Sequence, residues 1–229
     1  FQQATIYVPT SDFRLHLSPA IQHVLYYDAS DAAGARFSQS DTQMTSVLTD
    51  RLSTTGTETS LDSAATGDRL YIATPDVVGG FRFVMKAANA TASVITVAYS
   101  KNDATFADLT TTDGTASAGA TLGQTGNMTW TAPTDARSYE LSTLVTVANE
   151  ADVPRYNWIW WRFLWSVALD ADTEIEEIWA LNKNTNRWFL VSATDYHLSL
   201  DTTRVGAIEM VLAAGTATAD VNWLSTTGR

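Results

Sequence analysis

Residues 158–169 read Trp158-Ile159-Trp160-Trp161-Arg162-Phe163-Leu164-Trp165-Ser166-Val167-Ala168-Leu169. Laid out as a strand, the odd positions from Ile159 to Leu169 make an unbroken apolar face. The even positions alternate Trp158, Trp160, Arg162, Leu164, Ser166 and Ala168 and are mixed. Successive side chains of a strand point to opposite faces, so this pattern predicts a central strand with its odd face buried. The fold that such a strand specifies is an antiparallel β-sandwich, jelly-roll-like in its many short strands. Nothing in the stretch carries catalytic chemistry.

Outward from it, period-two alternation recurs. Phe81, Phe83 and Met85 alternate with Arg82 and Lys86; Ile95, Val97 and Tyr99 alternate with Thr96, Ala98 and Ser100. Phe13, Leu15 and Leu17, Ile21 to Tyr27, Leu70 to Ile72, and Met128 to Pro133 add further strands. Glu174 to Leu181, Trp188 to Val191, Tyr196 to Leu200, Ile208 to Leu212 and Ala219 to Trp223 follow. Turns are marked by Gly79-Gly80, Lys101-Asn102-Asp103, Asp113-Gly114 and Asn182 to Asn186. One helix is predicted, over Asp41–Leu52, and 53–68 reads as a loop. We expect an N-terminal arm over 1–60 and a β-sandwich domain over 61–229.

The 229 residues are 45% hydrophobic, with eight each of Trp, Tyr and Phe, enough for a sizeable core. Net charge is −11, from 25 acidic against 14 basic residues. That balance argues against nucleic acid, whose recognition needs clustered Lys and Arg, and against an anionic membrane surface. With no Cys, disulfides, thiol nucleophiles and Cys-ligated zinc are excluded. No apolar run is long enough to span a bilayer, and no secretory signal is expected. The chain opens on Phe1, from which we expect processing or unrecorded ends.

Candidate chemistry is sparse. Asp170, Asp172 and Glu174, continuing to Glu176, would point one way on an extended strand, a pattern that could hold Ca²⁺. It reads better as a solvated edge that discourages sheet-to-sheet pairing. Asp28 and Asp31 before Gly34 are a weaker pattern of the same kind. His16, His23 and His197 match no catalytic motif, and no nucleophile elbow, phosphate loop or dinucleotide fingerprint is present. No cofactor is expected. Trp158, Trp160, Trp188 and Trp223 are the aromatics available for a protein interface or for stacking on sugar rings. Arg162 would pair with a carboxylate or lie flat on an aromatic.

Three segments in this order resemble β-sandwich modules of structural proteins of tailed bacteriophages. The first comprises Leu70-Tyr71-Ile72, Gly80-Phe81-Arg82-Phe83 and Val97-Ala98-Tyr99-Ser100. The second comprises Phe106-Ala107-Asp108-Leu109, Asp113-Gly114-Thr115 and Gly126-Asn127-Met128-Thr129-Trp130-Thr131-Ala132-Pro133. The third is Trp160 to Leu169. The match covers about 70–181. It departs from the pattern at Ala98 and Ser100, which replace a Glu and an aromatic, at Phe106 for Trp, and at Ile159 for Tyr.

The resemblance implies a non-enzymatic virion component, of tail, baseplate or capsid-decoration type. Such a protein acts through contacts with copies of itself and with other virion proteins. The alternative is a carbohydrate-binding jelly-roll module that recognises host surface glycans.

Overall fold

The computed structural model describes residues 2–7, 13–31, 37, 48, 59–145, 155–182, 189–191, 196–200, 205–212 and 220–225. Side chains are described for 19–31, 37, 48, 59–145 and 155–181. The helix expected over Asp41–Leu52 lies outside these residues apart from Leu48, which is helical and buried.

The chain forms two units, Phe1–Ala20 with Asn184–Arg229, and Ile21–Lys183. In the first unit, β1 (Gln2–Tyr7) lies between β14 (Tyr196–Leu200) and β16 (Asp220–Ser225). A second three-stranded sheet places β2 (Phe13–Pro19) between β13 (Phe189–Val191) and β15 (Val205–Leu212). All four pairings are antiparallel.

The second unit is an all-β sandwich of two antiparallel five-stranded sheets. Sheet I runs β4 (Thr59–Ser60), β12 (Glu174–Asn182), β6 (Val78–Ala87), β10 (Gly126–Trp130) and β9 (Thr111–Asp113). Sheet II runs β3 (His23–Tyr27), β5 (Arg69–Thr74), β11 (Ile159–Trp165), β7 (Ile95–Ser100) and β8 (Phe106–Asp108). The Trp-rich stretch is β11, the middle strand of its sheet, as its alternation predicts. β4 falls inside the stretch read as a loop and forms an edge of sheet I.

The core lies between the sheets. From β11 it takes Ile159, Trp161, Phe163 and Trp165, and from sheet I Phe81, Phe83, Met128, Trp130, Ile175 and Ile178. The Trp130 and Trp161 rings stack with centroids 5.1 Å apart, and Phe163 meets Phe81 and Phe83 edge-on at 5.8 and 5.7 Å. Offset stacks and edge-to-face pairs are the arrangements that ring quadrupoles favour. Two of the indoles between the sheets are tied down: Trp130 Nε1 donates to the Val78 carbonyl and Trp161 Nε1 to Thr74 Oγ1.

The apolar odd face is shorter than its pattern predicts. β11 stops at Trp165 because Ser166 bends the chain: its N–H donates to the Val94 carbonyl and its Oγ accepts from the Val94 N–H. Val167, expected inside, is therefore turned out and 46% exposed. Leu169 returns to the core.

Buried tyrosines give the domain an alkaline limit. Burial pushes the Tyr71 hydroxyl up to about 12, and burial with a hydrogen bond to Asp68 raises Tyr26 as well. A raised folded-state value means stability is intact below about pH 10, the unfolded value, and is lost as pH rises toward the folded one. Tyr71 alone should cost about 2 kcal/mol at about pH 11.5. Urea unfolding at that pH and at about pH 9 checks it, and Tyr71→Phe should shrink the difference.

Candidate functional site

Two surfaces of the sandwich unit collect the residues that could carry function: the outer face of sheet II, and the loops at one end. The outer face holds the even side of β11. Trp160 is fully buried there with Leu25, Phe37, Tyr71, Ala73 and Leu141, in a second apolar cluster separate from the core. Its Nε1 donates to the Tyr139 carbonyl at 2.8 Å, and its N–H to Ser100 Oγ. The cover comes from Phe37 and from the chain around the helical turn α1 (Leu141–Leu144). That segment is anchored by the reciprocal backbone pair of Tyr139 and Trp158 and by the Arg137 N–H on the Ser100 carbonyl.

This placement corrects the reading of Trp160 as an interface or glycan-stacking residue: its ring is part of the domain's own packing. Trp158 is half-buried beside His23, with its Nε1 buried and unpartnered. Tyr156, two residues earlier, is 68% exposed. Trp188 lies outside the described residues. Trp223 lies on β16, opposite Ala4.

Arg162 stands on the same face, directly across from Tyr71 on β5 and Ala98 on β7. Its guanidinium carbon lies over the Phe106 ring, 4.5 Å from the centroid, so of the two expected partners the structure gives it the aromatic. The acid that the resemblance expects at Ala98 would have faced it across the strand pair; a methyl group is there instead.

Asp170 and Asp172 precede β12 in a turn, so the acidic ladder is not one extended strand. Asp170 accepts from the Ala90 N–H at 2.5 Å, Thr173 Oγ1 at 2.6 Å and the Asp172 N–H at 3.2 Å. The Thr173 hydrogen bond leads in holding its carboxyl below the usual range. Its oxygens serve the turn. Glu174 faces Lys86 at 3.9 Å, and Asp172 is exposed. Among the described residues no three His, Asp or Glu side chains converge to hold a metal ion. Asp28 likewise caps its own turn through Ser30.

The loop end is a surface that alternation could not reveal. Segments 87–95, 114–125 and 166–169 contain no charged residue, in a chain that is 17% charged. The fold brings all three together through buried polar groups. The Asn89 side chain donates to the Thr91 and Thr121 carbonyls and accepts from the Thr91 and Asp170 N–H groups. Thr121 N–H donates to the Ser93 carbonyl, and Asn89 N–H to that of Leu122. Asp113 holds the base of 114–125 by accepting from Thr115 N–H and from the Thr115 and Thr121 hydroxyls. The result is a neutral end whose own polar groups are satisfied inward. It displays Val94, 67% exposed, and Val167, which follows the Ser166 that is bonded to Val94. With Tyr156 these are the exposed large apolar side chains among the described residues.

Set against known proteins, the chain matches no family model, no curated protein and no solved structure.

Proposed function

We propose that the chain is a non-enzymatic structural component of a tailed-phage particle, working through contacts with other copies and other virion proteins. The observation that carries it is the neutral loop end. A hydrogen-bond-locked end whose three segments carry no charge and display two exposed valines, on a strongly acidic protein, is suited to being covered by another protein surface, because its carboxylates, Asp113 and Asp170, are already hydrogen-bonded and no loop need be ordered. The order of the three motif segments over 70–181 supplies the kind of particle.

Peptide mass spectrometry on purified particles, with antibody labelling under the electron microscope, tests this reading. Stoichiometric recovery at a fixed place supports a virion part; absence from particles discards it. The double variant Val94→Asp/Val167→Asp should fold like the parent, since both side chains are exposed. Its incorporation into particles should drop at least about tenfold, because each buried, unpaired carboxylate opposes the contact. Undiminished incorporation would place the contact elsewhere.

Exposed Tyr156 beside half-buried Trp158 favours glycan recognition as the second reading, since rings on a surface suit sugar stacking. Saturable binding of host polysaccharide by the free protein, together with absence from particles, would make it the leading one.

A further inference from the structure

Arg162 has an environment unlike that of the other partly buried Lys and Arg side chains described in the sandwich unit. Arg82 donates to Asn127 Oδ1, Arg69 to the Thr66 and Asp68 carbonyls, and Lys101 to Asp103. Arg162 has, among the described residues, no hydrogen-bond or ion-pair partner. Its Nε is buried and unpartnered, and the ring of Phe106 is the group that answers its charge at close range. Its row across sheet II reads Leu25, Tyr71, Arg162, Ala98 and Asp108. Burial disfavours its charged form, and Arg69 adds like-charge repulsion. Asp108, the one carboxylate whose field opposes these, is exposed on edge strand β8, beyond the Ala98 methyl.

A half-buried guanidinium with five donors and a single aromatic partner is an incomplete site. The missing component is a planar anion: carboxylate oxygens match the guanidinium fork two-to-two, and such charge-assisted bonds are the strong ones. With Nε sealed, the Nη end is the edge a ligand meets.

We propose that Arg162, seated on Phe106 and flanked by Arg69, is a receptor for a carboxylate presented by a neighbouring protein molecule. An acidic side chain is the source at hand, since each copy of this chain carries 25 of them. The Phe106 ring under the guanidinium leaves the Nη end for the incoming carboxylate. This does not rest on the virion reading: a chain that never enters a particle could still bind a carboxylate here.

The test follows the Nε–Hε resonance of Arg162 in the ¹⁵N-labelled full chain, assigned by its loss in Arg162→Lys. Sodium acetate is titrated in, against sodium chloride at equal ionic strength. A saturable shift specific to acetate is expected, with affinity weakened about threefold in Arg69→Met by loss of one screened charge. Equal shifts with both salts, or a shift that never saturates, overturns the site. A blocked Gly-Glu-Gly peptide is then compared with sodium glucuronate. Tighter binding of the peptide supports the protein source; equal or tighter binding of glucuronate overturns it in favour of an acidic glycan.

Discussion

Replacing Trp160 with Ala is expected to lower the unfolding free energy of the protein by about 4 kcal/mol, within the range for large-to-Ala changes in cores. The indole is 0% exposed and fills the space between Leu25, Tyr71, Ala73, Phe37 and Leu141. Its removal also takes from the Tyr139 carbonyl one of its two donors, Nε1 at 2.8 Å, and leaves it the Trp158 N–H alone. It further takes away the ring on which His23 stacks at 6.2 Å. The covering segment loses both its apolar anchor and one of its polar ones, so Leu141 and its neighbours should exchange amide protons faster than the sandwich core. Chemical denaturation is the measurement, read as a lower midpoint at unchanged slope. Trp158→Ala provides the contrast. That ring is half-buried and its Nε1 has no partner to lose, so about 1–2 kcal/mol is expected. A Trp160→Ala protein with parental stability would return Trp160 to the surface-contact class.

That contrast shows what alternation can and cannot read. Period two places Trp158, Trp160 and Arg162 together on one side of β11, and the structure keeps them there. It says nothing of whether that side is later roofed, which depends on a segment joined to β11 by backbone pairing at Tyr139 and on Phe37 from far upstream. The inner face was legible because both of its neighbours are strands of the same periodic kind. The extent of the face was not, because the bend at Ser166 is made by hydrogen bonds to Val94, 72 positions away. The ladder Asp170 to Glu176 failed for a related reason: its first carboxylate is consumed by Ala90 and Thr173 in a turn that precedes the strand. The neutral end did have a signal in the sequence, the absence of charge from three separate segments. Only the fold makes them one surface.

That surface is held at its neck by two glycines, and Gly126→Ala is expected to cost about 3 kcal/mol, the upper part of the range for overpacking. A Cβ at Gly126 would fall well inside van der Waals contact distance of the Gly114 carbonyl oxygen and 2.9 Å from the Thr115 nitrogen. Neither strand can yield easily. Gly126 opens β10, which is paired to β6 through Phe83, and Gly114 is tied back by its N–H on the Asn127 carbonyl. Separation at the neck would carry Thr115 away from Asp113 and Leu122, whose contacts shape the whole 114–125 loop. The strain would then reach Asn89 through the Thr121 carbonyl it holds at 2.9 Å. Hydrogen exchange should therefore quicken at the Thr121 and Asn89 amides, not only at the substitution. Gly119→Ala is the control: its Cβ meets nothing within 4 Å. The positive φ of 85° at Gly119 should cost only about 1–2 kcal/mol of local strain. If Gly126→Ala proves no more destabilising than Gly119→Ala, the close approach is not what fixes the neutral end. Should it be destabilising while incorporation into particles is preserved, the locked loop is needed for folding and not for the contact.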